Sequence, residues 1–188
     1  MDEHLFRELY GENGSRPLLF VMIALTALGS GWTMLALIPL VLEKKTRGFA
    51  LRLGATLTAT GIVVFLLKET LRRTRPCNGL PGVHGLFGTP SDFSCPSGHA
   101  AGSFAFAMFV AAHCLREARI QPNRAPTLRA LSALLLLLAA AIAFSRVYLG
   151  VHYPGDVLAG ALLGGATGFL GAHGRARRLA SDPASDTE

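Results

Sequence analysis

Ser145-Arg146-Val147-Tyr148-Leu149-Gly150-Val151-His152-Tyr153-Pro154-Gly155-Asp156 lies between two strongly apolar runs, and its reading decides the fold. It sets an arginine, a histidine and an aspartate at a break between two helices. An aspartate four residues after a histidine can hydrogen-bond the imidazole, fix its tautomer and stabilise its positive charge. The other ring nitrogen is then free to attack an electrophile. Arg146 is a permanent planar cation with several donors, suited to phosphate oxygens. The same residues also fit a plainer role, an interfacial histidine and arginine closing a membrane helix, and this stretch alone does not choose between the two.

The flanking runs make the chain a membrane protein. Leu128 to Phe144 precedes the stretch without a charge after Arg129, and Pro154 opens a helix predicted to reach Ala172, with Asp156 in its first turn. In that last helix Gly160, Gly164 and Gly168 recur every four residues on one face, a pattern of tight helix packing inside a bundle. Upstream, Leu18–Leu42 carries no charge and exceeds the roughly 30 Å hydrocarbon core at about 1.5 Å per residue. Phe49–Leu67 is a second span and the stretch from Pro96 to Leu115 a third. Of the 188 residues 51% are hydrophobic, 21 are glycine and only 16% are charged, against about 25% charged in soluble domains. The expectation is an all-α integral membrane bundle of about five transmembrane helices. A short amphipathic helix precedes them, with Leu5, Phe6, Leu9 and Tyr10 on one side, expected to lie on the membrane surface. Residues 1–16 read as an interfacial segment, 17–174 as the membrane domain and 175–188 as a disordered cytoplasmic tail. No cleavable signal peptide is expected.

Five spans place three polar stretches on one face: the end of the second span near Lys68 and Arg75, the start of the third at Ser97, and the 145–156 turn. Eleven of the eighteen basic residues fall on the opposite face. The positive-inside rule puts that face in the cytoplasm, so the polar stretches face outward, to the periplasm of a Gram-negative inner membrane. The net charge of +6 therefore follows topology and does not call for nucleic acid.

These stretches gather a chemistry. Pro76 ends the second helix at Arg75, and Lys68 and Arg75, seven apart, are predicted on one helical face. Ser97 is a natural N-cap, so Gly98 and His99 begin a helix whose free N–H groups favour an anion. Arg146 adds a third cation, and His152 with Asp156 a paired imidazole. Three cations, a helix N-terminus and two histidines describe phosphoryl transfer without a metal. The loop from Cys77 to Cys95 adds His84 and Asp92, read as exposed residues within reach of substrate, while Arg72 and Arg73 read as solvated interface charges.

Lys68-x6-Arg75-Pro76, Pro96-Ser97-Gly98-His99 and Ser145-Arg146-x5-His152-x3-Asp156 resemble, in order and without departure, the three-part signature of the type 2 phosphatidic acid phosphatase superfamily. The resemblance implies an all-helical membrane fold, often of six spans, and hydrolysis of a lipid phosphate or diphosphate with no cofactor. It implies that His152 attacks phosphorus, Asp156 orients it and His99 protonates the leaving oxygen. Lys68, Arg75, Arg146, Ser97 and the Gly98 amide would hold the phosphate. Undecaprenyl diphosphate is the first substrate expectation, with phosphatidylglycerophosphate, phosphatidic acid and lipid A phosphates open. A vanadium haloperoxidase, which shares the pocket, and a non-catalytic relic are the alternatives; the apolar spans and the complete signature weigh against them. If Arg75 and Ser97 hold one phosphate, Cys77 and Cys95 beside them come close enough for a disulfide, the alternative being three reduced cysteines.

Overall fold

The computed structural model describes residues 2–31 and 37–174. Its helices are, in order, α1 (Asp2–Leu9), α2 (Arg16–Leu28), α3 (Leu37–Leu42), α4 (Arg47–Leu71), the short α5 (Pro76–Gly79), α6 (Gly98–Ile120), a 3-10 turn (Pro122–Arg124), α7 (Ala125–Tyr148) and α8 (Pro154–His173). Among the described residues there is no β-strand. The expected tail, 175–188, lies outside the described residues.

Among the described residues four stretches are long and apolar enough to cross a membrane: Arg47–Gly79, Gly98–Ile120, Pro122–Tyr148 and Pro154–His173. The predicted first span is instead divided. α2 ends at Leu28, where the Gly29 amide bonds Leu25 O at 3.2 Å and the Ser30 hydroxyl donates to Ala27 O at 2.6 Å. A hydroxyl that takes a backbone acceptor competes with the helical ladder, and here it does so beside glycine. Residues 32–36 of that span lie outside the description, and α3 follows, packed on α4.

α6 is the central helix, packed along both α7 and α8. Its buried face is mostly small residues, Ala100, Ala101, Ala105, Ala107 and Ala111, with Phe109 among them, while Phe65, Leu66, Leu137, Leu162 and Leu170 are exposed on the outer faces of other spans. Small residues inside and large apolar ones outside is the arrangement of helices packed in lipid, where close backbone approach holds the bundle and the outer surface needs no polar cover. The glycine stripe of α8 faces α6. A Cβ at Gly164 would lie 2.0 Å from the Ala101 carbonyl oxygen, and one at Gly168 2.3 Å from that of Ala105. These distances exclude any side chain, so the stripe serves packing within the bundle.

α1 packs one side on the bundle and leaves Glu3, His4, Leu5, Arg7 and Glu8 exposed. Phe6 is fully buried with Val83 and Val147, and Leu9, Tyr10 and Tyr153 pack around them. The apolar side that suggested a lipid surface is used against the bundle itself. The segment after it closes over Tyr148, which leaves no room for a Cβ at Gly11 or Gly14. Tyr148 and Tyr153 are thus packing partners of the N-terminal segment.

The cysteine pair is not bridged: Cys77, Cys95 and Cys114 are free thiols. Cys77 turns into the apolar cluster of Met22, Tyr148, Leu149 and Val151. Cys95 turns toward Asp156, and burial pushes its thiol pKa up. The two thiols thus have different neighbours.

Replacing Gly164 by alanine should lower the thermal midpoint of the detergent-solubilised protein, since overpacking costs about 1–3 kcal/mol. An unchanged midpoint would mean that α6 and α8 do not approach this closely.

Candidate active site

Four helix ends meet at one end of the bundle. They are the C-termini of α4 and α7 and the N-termini of α6 and α8. α4 ends earlier than proline alone predicts, at Leu71, because Arg72 adopts a left-handed conformation, φ 47° and ψ 36°. Arg73 and Thr74 then lead to Arg75, which is extended before Pro76 as a residue preceding proline should be. The expected single helical face for Lys68 and Arg75 is therefore absent. Lys68 reaches the site from the last turn of α4 and Arg75 from beyond it.

They meet at Asp92. Its carboxylate is paired with the Lys68 ammonium and accepts from Arg75 Nη2 at 2.8 Å, while its backbone carbonyl accepts from Arg75 Nε at 2.8 Å. Burial works against the charge of Asp92, but its bonds with Lys68 and Arg75 hold its pKa below the usual carboxylate range. Arg75 is 3% exposed; its Nη1 donates to Val151 O at 2.8 Å and lies 2.9 Å from His152 Nε2. A guanidinium only donates, so this contact assigns the Nε2 lone pair to Arg75 and the ring proton to Nδ1. Burial, together with the charges of Arg75 and Arg146, lowers the His152 pKa to about 4, against the opposing pull of Asp156. The imidazole is neutral at pH 7, with an unprotonated Nε2.

His152 Nδ1 lies 3.7 Å from Asp156 Oδ2, an ion-pair distance longer than a hydrogen bond. Ser94 stands between them. Its hydroxyl donates to Asp156 Oδ2 at 2.5 Å and lies 3.4 Å from His152 Nδ1. Asp156 is fully buried, with Oδ2 also accepting the Tyr153 amide at 2.9 Å and Oδ1 accepting Arg73 Nη1 at 2.8 Å. This carboxylate has partners on both oxygens and holds its place without being solvated.

Ser97 caps α6, its hydroxyl accepting the Ala100 amide at 3.5 Å, and its own amide donates to the Asp156 carbonyl at 2.9 Å. That bond joins the starts of α6 and α8. Gly98 and His99 in the first turn line the same cavity of about 350 Å³ as Lys68, Arg75, Asp92, Arg146 and His152. Arg146, in the last turn of α7, is 8% exposed. It donates through Nη1 to Thr26 Oγ1, and its buried Nε has no partner among the described residues. Among the described residues no carboxylate forms an ion pair with it.

All the sequence-derived residues therefore come to one place. Ser94, Asp92 and Arg73 belong there too. The first carried no charge to draw attention, and the others read as exposed loop or interface charges. His84 stays exposed, and only its backbone is held, accepting and donating with the Tyr10 hydroxyl at 2.9 and 3.0 Å. Among the described residues no group of three His, Cys, Asp or Glu is placed to hold a metal ion.

Comparison with known proteins gives the family. Residues 49–179 match the family described as the PAP2 superfamily. The chain is 33% identical over 140 residues to decaprenylphosphoryl-5-phosphoribose phosphatase of Mycobacterium tuberculosis, covering 74% of this chain and 69% of that one. It is 32% identical to an undecaprenyl-diphosphatase of Sulfolobus acidocaldarius, covering 70% of this chain and 57% of that protein. The crystal structure of a transmembrane PAP2-type phosphatidylglycerolphosphate phosphatase from Bacillus subtilis superposes with a TM-score of 0.74 at 28% identity, covering 92% of this chain and 83% of that one. Four apolar spans, a cation-lined cavity at their shared end and these likenesses have one meaning: the chain belongs to the PAP2 superfamily and is an integral membrane phosphoric ester hydrolase.

Proposed function

We propose that the protein removes the terminal phosphate of a polyprenyl or other lipid phosphate or diphosphate through a phosphohistidine on His152. The observation that carries this reading is the convergence of Lys68, Arg75 and Arg146 on one cavity beside the unprotonated His152 Nε2. Three buried cations with a single engaged carboxylate, Asp92, leave excess positive charge where equatorial phosphate oxygens would sit.

In this mechanism the substrate phosphate takes Lys68 and Arg75 from Asp92, whose half-exposed side chain has water to turn into. Arg146 and the amides at the start of α6 hold the remaining oxygens. The Nε2 lone pair forms the P–N bond as the P–O bond to the leaving group breaks, and His99, protonated once the phosphate's negative charge sits among the cations, gives its proton to that oxygen. His99 then takes a proton from water, which attacks phosphorus. The P–N bond breaks, inorganic phosphate leaves, and both histidines return to their starting states.

A second cavity of about 440 Å³, lined by apolar residues such as Leu57, Val64, Phe106 and Ile142, shares Gly61, Val64 and Gly98 with the first. An apolar space opening onto a phosphate site suits a lipid chain better than a soluble phosphate ester. Undecaprenyl diphosphate is the first candidate, since two relatives are named for polyprenyl substrates.

Phosphate release in detergent from undecaprenyl diphosphate, phosphatidylglycerophosphate, phosphatidic acid and lipid A tests the reading. Activity should persist in chelator, and His152→Ala should abolish it. His99→Ala should lose about 100-fold or more on an alkyl monoester and less on a diphosphate, whose leaving group is a weak base. Equal losses on both would contradict the role given to His99.

The basic residues Arg47, Arg52, Arg116, Arg119, Arg124 and Arg129 lie at the bundle end away from the site, which supports an outward-facing site. A reporter fused after Glu188 should behave as cytoplasmic and a tag in the 77–95 loop should be reachable from outside. The reverse pattern would overturn the orientation.

A further inference from the structure

Arg73 is not part of the three-part signature, yet its position is unusually constrained. Nη1 donates to Asp156 Oδ1 at 2.8 Å, and Nη2 donates to Asp2 Oδ2 at 2.7 Å. The guanidinium lies over the Tyr153 ring, 4.1 Å from its centroid. Its backbone carbonyl accepts the Ser94 amide at 2.8 Å, and Ser94 is the residue that stands between Asp156 and His152. The other oxygen of Asp2 accepts the Gly155 amide at 2.9 Å, in the first turn of α8.

We propose that Arg73 and Asp2 are positioning residues for the nucleophile, a two-carboxylate clamp by which helix α1 fixes the Asp156 carboxylate against His152. The proposal rests on the reading of His152 as nucleophile. A carboxylate has two oxygens and can rotate about its Cβ–Cγ bond. Oδ2 is needed on the histidine side; the Ser94 hydroxyl and the Tyr153 amide keep it near, and a hold on Oδ1 fixes its angle. The Arg73 fork supplies that hold because its planar donors engage two carboxylates at once, which an ammonium on a flexible stem cannot reproduce. Asp2 anchors the fork from the opposite side. Burial of Phe6 and the clasp of Tyr10 on the His84 backbone keep α1 in place. Arg73 also draws part of the Asp156 charge away from the imidazole. The charged and titratable groups facing His152 are Asp156 from α8, Arg75 from the segment after α4, Asp92 from the loop before α6, and Lys68, Arg146 and His99 across the cavity.

The test uses the full chain in detergent with farnesyl diphosphate as probe, together with a titration of 15N-labelled histidine by NMR, which needs no substrate. Arg73→Gln should lower kcat by about 10- to 100-fold with KM within about twofold, as expected of misplaced reacting groups. Without Arg73 the full charge of Asp156 bears on His152 and stabilises its imidazolium. Both the acid limb of the kcat/KM profile and the His152 titration should therefore move to higher pH, by about half a unit or more. Arg73→Lys should restore the titration toward wild type while kcat stays low. Asp2→Asn, a milder change, should lower kcat at unchanged KM and add nothing further in the Arg73→Gln background, since contacting residues couple.

A raised KM at unchanged kcat in Arg73→Gln, or an unmoved His152 titration in a folded variant, would overturn the proposal. Additive effects of the two substitutions would do the same. If the wild type releases no phosphate from any lipid, or His152→Ala remains active, the phosphatase mechanism fails instead. The NMR titration still decides whether Arg73 acts on the Asp156–His152 pair.

Discussion

The buried carboxylate of Asp156 is the contact on which the site depends. It is fully buried, and its partners come from three parts of the chain: Arg73 after α4, Ser94 before α6, and Tyr153 at its own helix start. Its backbone carbonyl holds the Ser97 amide and so aligns α6 with α8. A buried carboxylate without such partners would favour its neutral form and lose its hold on an imidazole. Supplied with them, it can remain charged in a dry place, and the helix ends that carry Ser97, His99 and His152 are set relative to one another by the same bonds.

The opposing constraint is an excess of positive charge. Lys68, Arg75 and Arg146 are each at least nine-tenths buried and line one cavity, and Arg146 has no carboxylate partner among the described residues. Like charges brought together in a low dielectric repel, and folding tolerates this only where other interactions outweigh it. The close α6–α8 packing supplies rigidity for that, and Asp92 relieves part of the repulsion. In the proposed function an anion with several oxygens would relieve the rest, so that substrate binding and a stable resting state use one set of residues.

Much of this was legible in the sequence because it is local. Ser97 as an N-cap, Asp156 in the first turn of α8 and the glycine stripe of α8 each follow from short-range spacing, and the structure has all three. What was not legible depends on contacts between distant segments. Arg73 and Asp2 are 71 residues apart, and nothing in the spacing of either points to the other. The amphipathic side of α1 correctly announced a buried face, but hydrophobicity does not say whether lipid or protein covers it. α4 stops at Leu71 because Arg72 takes a left-handed turn, a choice that proline four residues later does not dictate. The cysteine pair failed for a related reason: side-chain direction, not backbone proximity, decides whether two thiols meet.

The central claim is that phosphorus passes through His152. The direct measurement is to turn over a diphosphate substrate labelled in its terminal phosphate, quench in alkali within milliseconds, digest the protein and map the label by mass spectrometry. The phosphoryl group is expected on the peptide that contains His152, with no labelled protein from His152→Ala. Steady turnover with no protein-bound phosphate, or label on a different residue, would contradict it.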